Sequence, residues 1–163
     1  MSTANYRIAD AILRMCSKLN SKAAFTILKL NEDVLERKPG ELLEESVALH
    51  YLSTKLRQRS SEGLDVDRCF TYNSLAAPMY AQLGLRNLAI ECYTTAGLMA
   101  RGMALPEVAL SCFAKGKEVY LPGDNSDGLD FLEYQKNKAL TELLSDSQKK
   151  LQDSLDSLKV IAV

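Results

Sequence analysis

The chain has 163 residues, of which 47% are hydrophobic and 25% charged, and its net charge is -1. This length suits one domain with its own core, and the composition is that of a soluble globular protein. No block of the sequence is basic, so a nucleic-acid-binding surface is not expected. Lys and Arg residues that occur together have acidic residues nearby, as on a solvated helix face.

The cellular location is inferred from apolar runs and cysteines. No apolar run approaches the roughly 20 residues that a membrane-spanning helix needs, and the N-terminus lacks the pattern of a secretory signal. The four cysteines, Cys16, Cys69, Cys92 and Cys112, lie in apolar helical stretches without C-x-x-C spacing. They are expected to be buried free thiols in a reducing compartment, so the expected location is the cytoplasm, with the nucleus as the alternative.

Three amphipathic helices are predicted in residues 1–60. Apolar side chains recur at three-and-four spacing over residues 4–19 and 22–37, which is typical of helices with one buried face. Pro39 and Gly40 predict a turn, because proline disfavours helix at the residue before it and glycine permits unusual backbone angles. The third helix is predicted from residue 41 to residue 59, followed by a candidate flexible joint over residues 60–63.

The next helix is predicted to begin at a cap, Asp65 or Asp67, and to run to about Leu83. Its unusual residue is Pro78, which lies inside the apolar pattern. A proline within a helix removes one backbone hydrogen bond and costs about 3 kcal/mol. The helix is therefore expected to be kinked or split at Pro78.

Two more helices are predicted before residue 120. Gly84 predicts a turn, and the helix after it is expected over residues 88–100, with Gly102 as a glycine C-cap. Pro106 suits the first turn of the following helix, where its missing amide is harmless.

Small and aromatic residues recur across the turn at Gly84. They are Ala77, Tyr80, Gly84, Ala89, Tyr93 and Ala96. Small side chains let two helix backbones approach closely, and glycine ends a helix with a conformation that few residues adopt cheaply. The spacing from Gly84 to Ala96 resembles one tetratricopeptide (TPR) unit. This resemblance covers about 30 residues, and it implies a packed helical hairpin in a protein that binds other proteins. Asn73 departs from the family pattern, which has a large residue there.

The pattern recurs once, at a spacing that differs from that of a TPR array. Ala89, Tyr93 and Ala96 have counterparts twenty residues later, at Ala109, Phe113 and Gly116. Tandem TPR units repeat about every 34 residues. The sequence therefore predicts one hairpin with a further helix stacked on it.

A loop over residues 121–128 precedes a long C-terminal helix, predicted over residues 129–160. Its first half is apolar on one side and is expected to pack on the domain. In its second half, Leu144, Leu151 and Leu158 recur every seven residues, over about two heptads. This half is expected to project from the domain.

Candidate residues for catalysis or metal binding are few. His50 is the only histidine, and a nucleophilic Cys–His pair would require one of the cysteines to meet it in space. The acidic loop DNSDGLD fails as an EF-hand, because a central glycine at Gly128 puts Gly123 and Tyr134 at the two end-ligand positions. Asp124 or Asp127 is better interpreted as a turn or capping residue, and no metal or cofactor is expected.

These patterns together predict a single all-α domain over residues 1–163. It has about seven helices in antiparallel hairpins: N-terminal helices over 1–60, a TPR-like core over 65–120 and a long C-terminal helix over 129–160. The hairpins are expected to form a TPR-like right-handed stack or an irregular bundle.

The predicted function is non-enzymatic: an adaptor or scaffold domain that binds a peptide or helix of another protein in a hydrophobic helical groove. Tyr72, Met79, Met99 and Met103 are the candidate partner-binding residues, with core packing as the alternative interpretation. A second hypothesis is a subunit or assembly module that forms homo-oligomers through its C-terminal helix. An enzyme with an unrecognised site is disfavoured, because one histidine and no catalytic motif provide little for acid–base chemistry.

Overall fold

The computed structural model describes residues 4–16, 18–31, 38–59, 65–124 and 126–161. Within these residues the chain forms seven helices and no strand, which confirms the predicted all-α class and the long C-terminal helix. The helices are α1 (Ala4–Met15), α2 (Ser21–Lys29), α3 (Pro39–Arg59), α4 (Val66–Gln82), α5 (Arg86–Gly102), α6 (Pro106–Val119) and α7 (Ser126–Ile161).

Helices α3 to α7 form a stack in which each helix packs against the next one in the chain. Helices α1 and α2 pack against α4, and α2 also reaches α6. Helix α4 therefore lies at the centre, and α3 and α7 are the two outer helices of the stack. The outer helices leave more of their surface open to solvent than the helices between them.

Helix α4 is buried on all sides over twelve consecutive residues, from Cys69 to Tyr80. Two of the polar side chains among them are held by hydrogen bonds within the helix: Thr71 donates to the Asp67 carbonyl at 2.7 Å, and Asn73 donates to the Cys69 carbonyl at 2.8 Å. The buried Ser74 hydroxyl, in contrast, has no hydrogen-bond partner among the described residues. Burial of a polar side chain is costly unless it is hydrogen-bonded. These local bonds allow a helix of mixed polarity to form the centre of the core.

Pro78 does not split α4, which continues without a break from Val66 to Gln82. Since proline has no N–H, it cannot donate to the carbonyl of Ser74, as a residue four positions later normally would. The adjacent carbonyl, that of Leu75, accepts a hydrogen bond at 2.8 Å from the buried side-chain amide of Asn31. A residue that lies just after α2 thus binds the α4 backbone close to the proline.

Three predicted boundaries near the N-terminus are wrong. Helix α1 ends at Met15 instead of continuing to residue 19. Helix α2 ends at Lys29 instead of continuing to residue 37, and its N-cap is Asn20, whose side chain accepts from the Ala23 amide. Pro39 and Gly40 form the first turn of α3 instead of a separate turn. Proline is favoured at a helix start because its missing N–H would have no partner there. Residues 32–37 and the predicted joint at 60–63 lie outside the described residues.

The turns on either side of α5 both contain a left-handed residue. Gly84 has φ of +76°, as the sequence predicts, and the Leu85 amide then donates to the Tyr80 carbonyl at 3.0 Å. Gly102 is not the corresponding residue after α5, because it is still helical. The left-handed residue there is Ala104, with φ of +59°.

Helix α7 is packed in its first part and exposed in its second. Leu132 and Ala139 are buried in its packed part, and ion pairs join Glu133 to Lys117 of α6 and Glu142 to Arg101 of α5. Every side chain from residue 145 to residue 160 is exposed. No helix in the described part of the chain is long and apolar enough to cross a membrane.

Candidate interaction surfaces

The six hairpin residues lie where α4 and α5 meet. Five of them are buried, and Gly84 forms the turn that joins the two helices. The five are Ala77, Tyr80, Ala89, Tyr93 and Ala96. Their burial agrees with a packing role, and it leaves no room for direct contact with a partner.

The four predicted partner-binding residues do not form an exposed face. Tyr72, Met79 and Met103 are buried in the core, and Met99 is half-buried against it. The Tyr72 ring stacks on that of Tyr6, with centroids 6.0 Å apart, and burial raises the pKa of its phenol. Core packing, the alternative interpretation, describes three of the four, so a partner surface has to be sought on other residues.

His50 lies in a small polar contact between α3 and the α4–α5 hairpin. Its Nδ1 is 3.3 Å from the Tyr80 hydroxyl, and its Nε2 is 3.6 Å from a carboxylate oxygen of the largely exposed Glu91. The ring also meets the Tyr80 ring edge-on. Burial raises the pKa of Tyr80 to about 12, so its hydroxyl stays protonated at neutral pH. The contact joins α3 to the hairpin, and its Tyr80 hydroxyl is not ionised for nucleophilic attack.

The cysteines are free, and three of the four are buried. Burial raises the pKa of Cys92, and it raises that of Cys112 to about 12. Because the thiolate is the reactive form, these two thiols are poor nucleophiles. Cys16 differs from the prediction: it lies just after α1 and is only half-buried.

Asp124 acts as a turn residue in the acidic loop, as predicted for it. Its carboxylate accepts from the Leu121 amide at 2.9 Å and from the Arg86 guanidinium at 2.7 Å. These bonds, chiefly the one from Arg86, lower the pKa of Asp124. The side chain of Asp127 lies outside the described residues. Among those that are described, no three His, Cys, Asp or Glu residues are grouped so that they could hold a metal ion.

Apolar side chains are exposed in a row on the outer helix α3. Leu43, Val47 and Tyr51 are 44–59% exposed, and their spacing of four residues puts them in one row along the helix. Leu42 and Leu49 cover the opposite, buried face. The three exposed side chains are called the α3 row.

Apolar side chains are also exposed on α7, at the other end of the stack. Leu144, Leu151, Leu155 and Leu158 are 44–62% exposed, on the half of α7 that extends beyond the other helices. The leucine spacing of this stripe is visible in the sequence without tertiary structure. The α3 row is not, because Leu43 and Val47 look like core residues of an amphipathic helix until the packing of α3 is known.

Comparison of the chain with protein-family models, with curated proteins and with solved structures finds no match. The TPR resemblance therefore stays a prediction. A function for this chain has to be inferred from the geometry of its two outer helices.

Proposed function

We propose that this chain is a non-enzymatic protein–protein interaction domain, an adaptor or scaffold, that binds an amphipathic helix of another protein along the α3 row. The observation that carries the proposal is the exposed apolar row on an outer helix of the stack. Terminal helices of stacked helical proteins need a polar outer face to stay soluble. A terminal helix that instead presents aligned apolar side chains marks an interaction site.

The dimensions of the α3 row suit a helix as the ligand. From Leu43 to Tyr51 the row spans about 12 Å at 1.5 Å per residue, or about two turns, which a partner helix can match with apolar side chains three and four residues apart. Each side chain in the row is already about half-buried, so complete burial gains about 1 kcal/mol per residue. The expected association is therefore weak and reversible unless the partner adds contacts around the row.

Other features of the core support a role without chemistry. His50 and Tyr80 contact each other in packing between helices, and the buried thiols are held protonated. Binding would use side chains that have no structural task inside the domain, such as Val47. A partner could therefore bind and dissociate without disturbing the core.

The experiment compares two glutamate variants on the same helix. Val47→Glu puts a charge in the α3 row, whereas Ala48→Glu puts the same charge on the adjacent exposed residue outside it. Proteins captured from an extract by the unmodified chain are identified by mass spectrometry, and one of them is purified for titration calorimetry. The proposal requires a partner that Ala48→Glu retains and Val47→Glu loses by at least tenfold in affinity. A partner that binds both variants equally, or no captured protein, contradicts it.

A further inference from the structure

The projecting half of α7 carries one continuous seam: Leu144, Gln148, Leu151, Leu155 and Leu158. Its spacings of four, three, four and three residues are those of the a and d positions of a heptad, with Gln148 and Leu155 at a and the others at d. All five side chains are exposed, and none of the neighbouring helices covers them. This set is called the α7 seam.

We propose that the α7 seam pairs with the α7 seam of a second copy of this chain, as a parallel, in-register, two-stranded coiled coil. The proposal concerns a different surface from the α3 row and does not depend on it. A helical segment of about 15 residues is marginal in water without a partner, because most helical stability in proteins comes from packing of an apolar face. Pairing supplies that packing.

The charges on α7 indicate what kind of partner the seam fits. The positions that flank a coiled-coil seam usually hold Glu or Lys, which choose a partner by pairing opposite charges. Here four of those flanking positions are uncharged, at Ser145, Ser147, Gln152 and Ser154. The acidic and basic side chains lie instead on the face away from the seam, at Asp146, Lys149, Lys150, Asp153 and Asp156.

Uncharged flanks remove the usual obstacle to pairing of identical helices, which is repulsion between like charges. The remaining charged flank is Lys159, and in a parallel pair it lies beside Ser154 of the second copy, so it faces no like charge. A different protein would find only this one charged flank to recognise. The seam thus favours a second copy over an unrelated partner helix.

The polar residue in the seam indicates the orientation. In a parallel, in-register pair, leucine faces leucine in four layers and Gln148 faces Gln148 in the fifth. An antiparallel pair that matches Leu155 with Leu144 or with Leu151 instead sets Gln148 against a leucine. Since a polar residue at a single a position fixes register by pairing with its counterpart, the parallel arrangement satisfies the seam better.

The a and d spacing of the α7 seam continues into the preceding part of α7, next to the stack, and this lengthens the contact between two copies. Tyr134, Asn137 and Thr141 occupy the preceding seam positions, are all exposed, and line a groove of about 370 Å³ beside Arg101. Two copies joined along α7 would meet over this groove as well. Two heptads of leucine alone give a small interface, so we expect association that depends on protein concentration.

The first test measures the mass of the full chain by sedimentation equilibrium from low to high micromolar concentration. The expected mass rises from 18.0 kDa to twice that value. Leu151→Glu combined with Leu158→Glu is expected to stay monomeric. The matched control, Ser157→Glu with Val160→Glu, adds the same charge on the far side of the same exposed helix and is expected to dimerise as the unmodified chain does.

Each alternative result overturns the proposal. A monomer at every concentration shows that the seam is free or has a different partner. A double-leucine variant that still dimerises, or a control that does not, places the contact elsewhere. Circular dichroism and the urea midpoint check that the packed helices remain folded, as expected because residues 145–160 contribute no buried side chain.

The second test addresses orientation. Gln148→Cys, made with Cys16→Ser to remove the half-buried native thiol, is expected to form a disulfide-linked dimer rapidly in a mild redox buffer. Asp153→Cys, on the far face of α7, serves as the control and is expected to link slowly. A Gln148→Cys protein that dimerises by sedimentation and does not link overturns the parallel, in-register arrangement.

Discussion

Gly97 shows how a single position limits side-chain size where two helices meet. It lies on α5, one residue after the Ala96 of the sequence pattern, and a Cβ atom there would be 2.7 Å from Cδ1 of the Phe113 ring. Phe113 is fully buried, so the ring has little room to move. The sequence pattern predicts small residues on this helix. Which of them contacts the Phe113 ring depends on the rotation of α5 and α6 about their axes.

Gly97→Ala is expected to lower the free energy of unfolding by about 1–3 kcal/mol, because the added methyl group overpacks a site held by a buried aromatic ring. The urea midpoint should fall without a change in slope. Gly102→Ala is the control on the same helix, where a Cβ meets nothing within 4 Å. It should be neutral or slightly stabilising, since alanine favours helix more than glycine does. Equal effects of the two substitutions would contradict this account.

The thiols give a second prediction for individual residues. Cys16 is half-buried, whereas Cys69, Cys92 and Cys112 are buried. A thiol reagent such as Ellman's reagent should label one thiol in the native protein and four after denaturation. Burial keeps the pKa of Cys112 near 12 and excludes the reagent, so it should react only when the protein unfolds. Cys16→Ser should abolish native labelling; labelling that survives in that variant would show that a buried cysteine is accessible.

The connections before and after α5 have the same backbone conformation and hydrogen bond, at positions twenty residues apart. The Leu85 amide donates to the Tyr80 carbonyl at 3.0 Å, and the Leu105 amide donates to the Ala100 carbonyl at 2.9 Å. Each connection has one left-handed residue. The first is glycine, for which this backbone is cheap, and the second is Ala104. The repeat explains why the apolar spacing recurs at this interval.

Ala104→Gly is therefore expected to stabilise the protein by about 0.5–1 kcal/mol, because it relieves a left-handed conformation that costs a residue with a Cβ about 1–2 kcal/mol. Gly84→Ala should have the opposite effect at the equivalent position. Thermal and urea unfolding of both variants measure the difference. A destabilising Ala104→Gly would mean that the loss of chain entropy exceeds the relieved strain.

An ion pair joins Arg86 of α5 to Asp124 in the loop before α7, so the pKa of the Asp124 carboxyl depends on Arg86. Arg86 lowers the pKa of Asp124 below its ordinary value of 3.8. A carboxyl whose pKa is lower in the folded state contributes stability above its unfolded pKa and loses it as the pH falls through the folded pKa. This contribution is therefore present at neutral pH and disappears in acid.

Arg86→Gln is expected to raise the pKa of Asp124 toward its ordinary value, though not fully, because the bond from the Leu121 amide remains. Carbon-detected NMR titration of the Asp124 carboxyl measures this. Arg101→Gln, which removes a different ion pair of α5, should leave the pKa of Asp124 unchanged. A shift in the pKa of Asp124 in the Arg101→Gln variant would indicate that loss of any nearby positive charge, and not of the Arg86 bond, changes this pKa.

Which segments form helices was largely predictable from the sequence. Where each helix lies in the packed fold was not. Three-and-four apolar spacing correctly predicted α1, α3 and α7, because each has one buried face. Helix α4 could not be recognised as central, since Asn73 and its polar neighbours look solvent-facing until their hydrogen bonds are known. For the same reason the sequence leaves Met79 open as either a partner-binding or a core residue, and the structure shows that it is fully buried. Exposure is decided by neighbouring helices, which spacing within one helix does not reveal.

The two proposed surfaces lie at opposite ends of the stack, with α4, α5 and α6 between α3 and α7. Sites that are far apart and share no contacts usually act independently. A partner helix on the α3 row should therefore bind monomer and dimer with the same intrinsic affinity. Dimerisation would nevertheless strengthen binding to a partner that presents two such helices, through an increased effective concentration.

A chain ending at residue 146 tests this separation. It lacks most of the α7 seam but keeps Leu132, Ala139 and the Arg101–Glu142 ion pair, which hold α7 to the stack. The shortened chain should remain monomeric, unfold cooperatively in urea and bind a purified α3 partner with the affinity of the full chain at equal site concentration. Its helical circular dichroism should fall only by the share of the removed residues. Loss of cooperative unfolding would show that the projecting helix stabilises the stack, and loss of partner binding would show that the two surfaces are coupled.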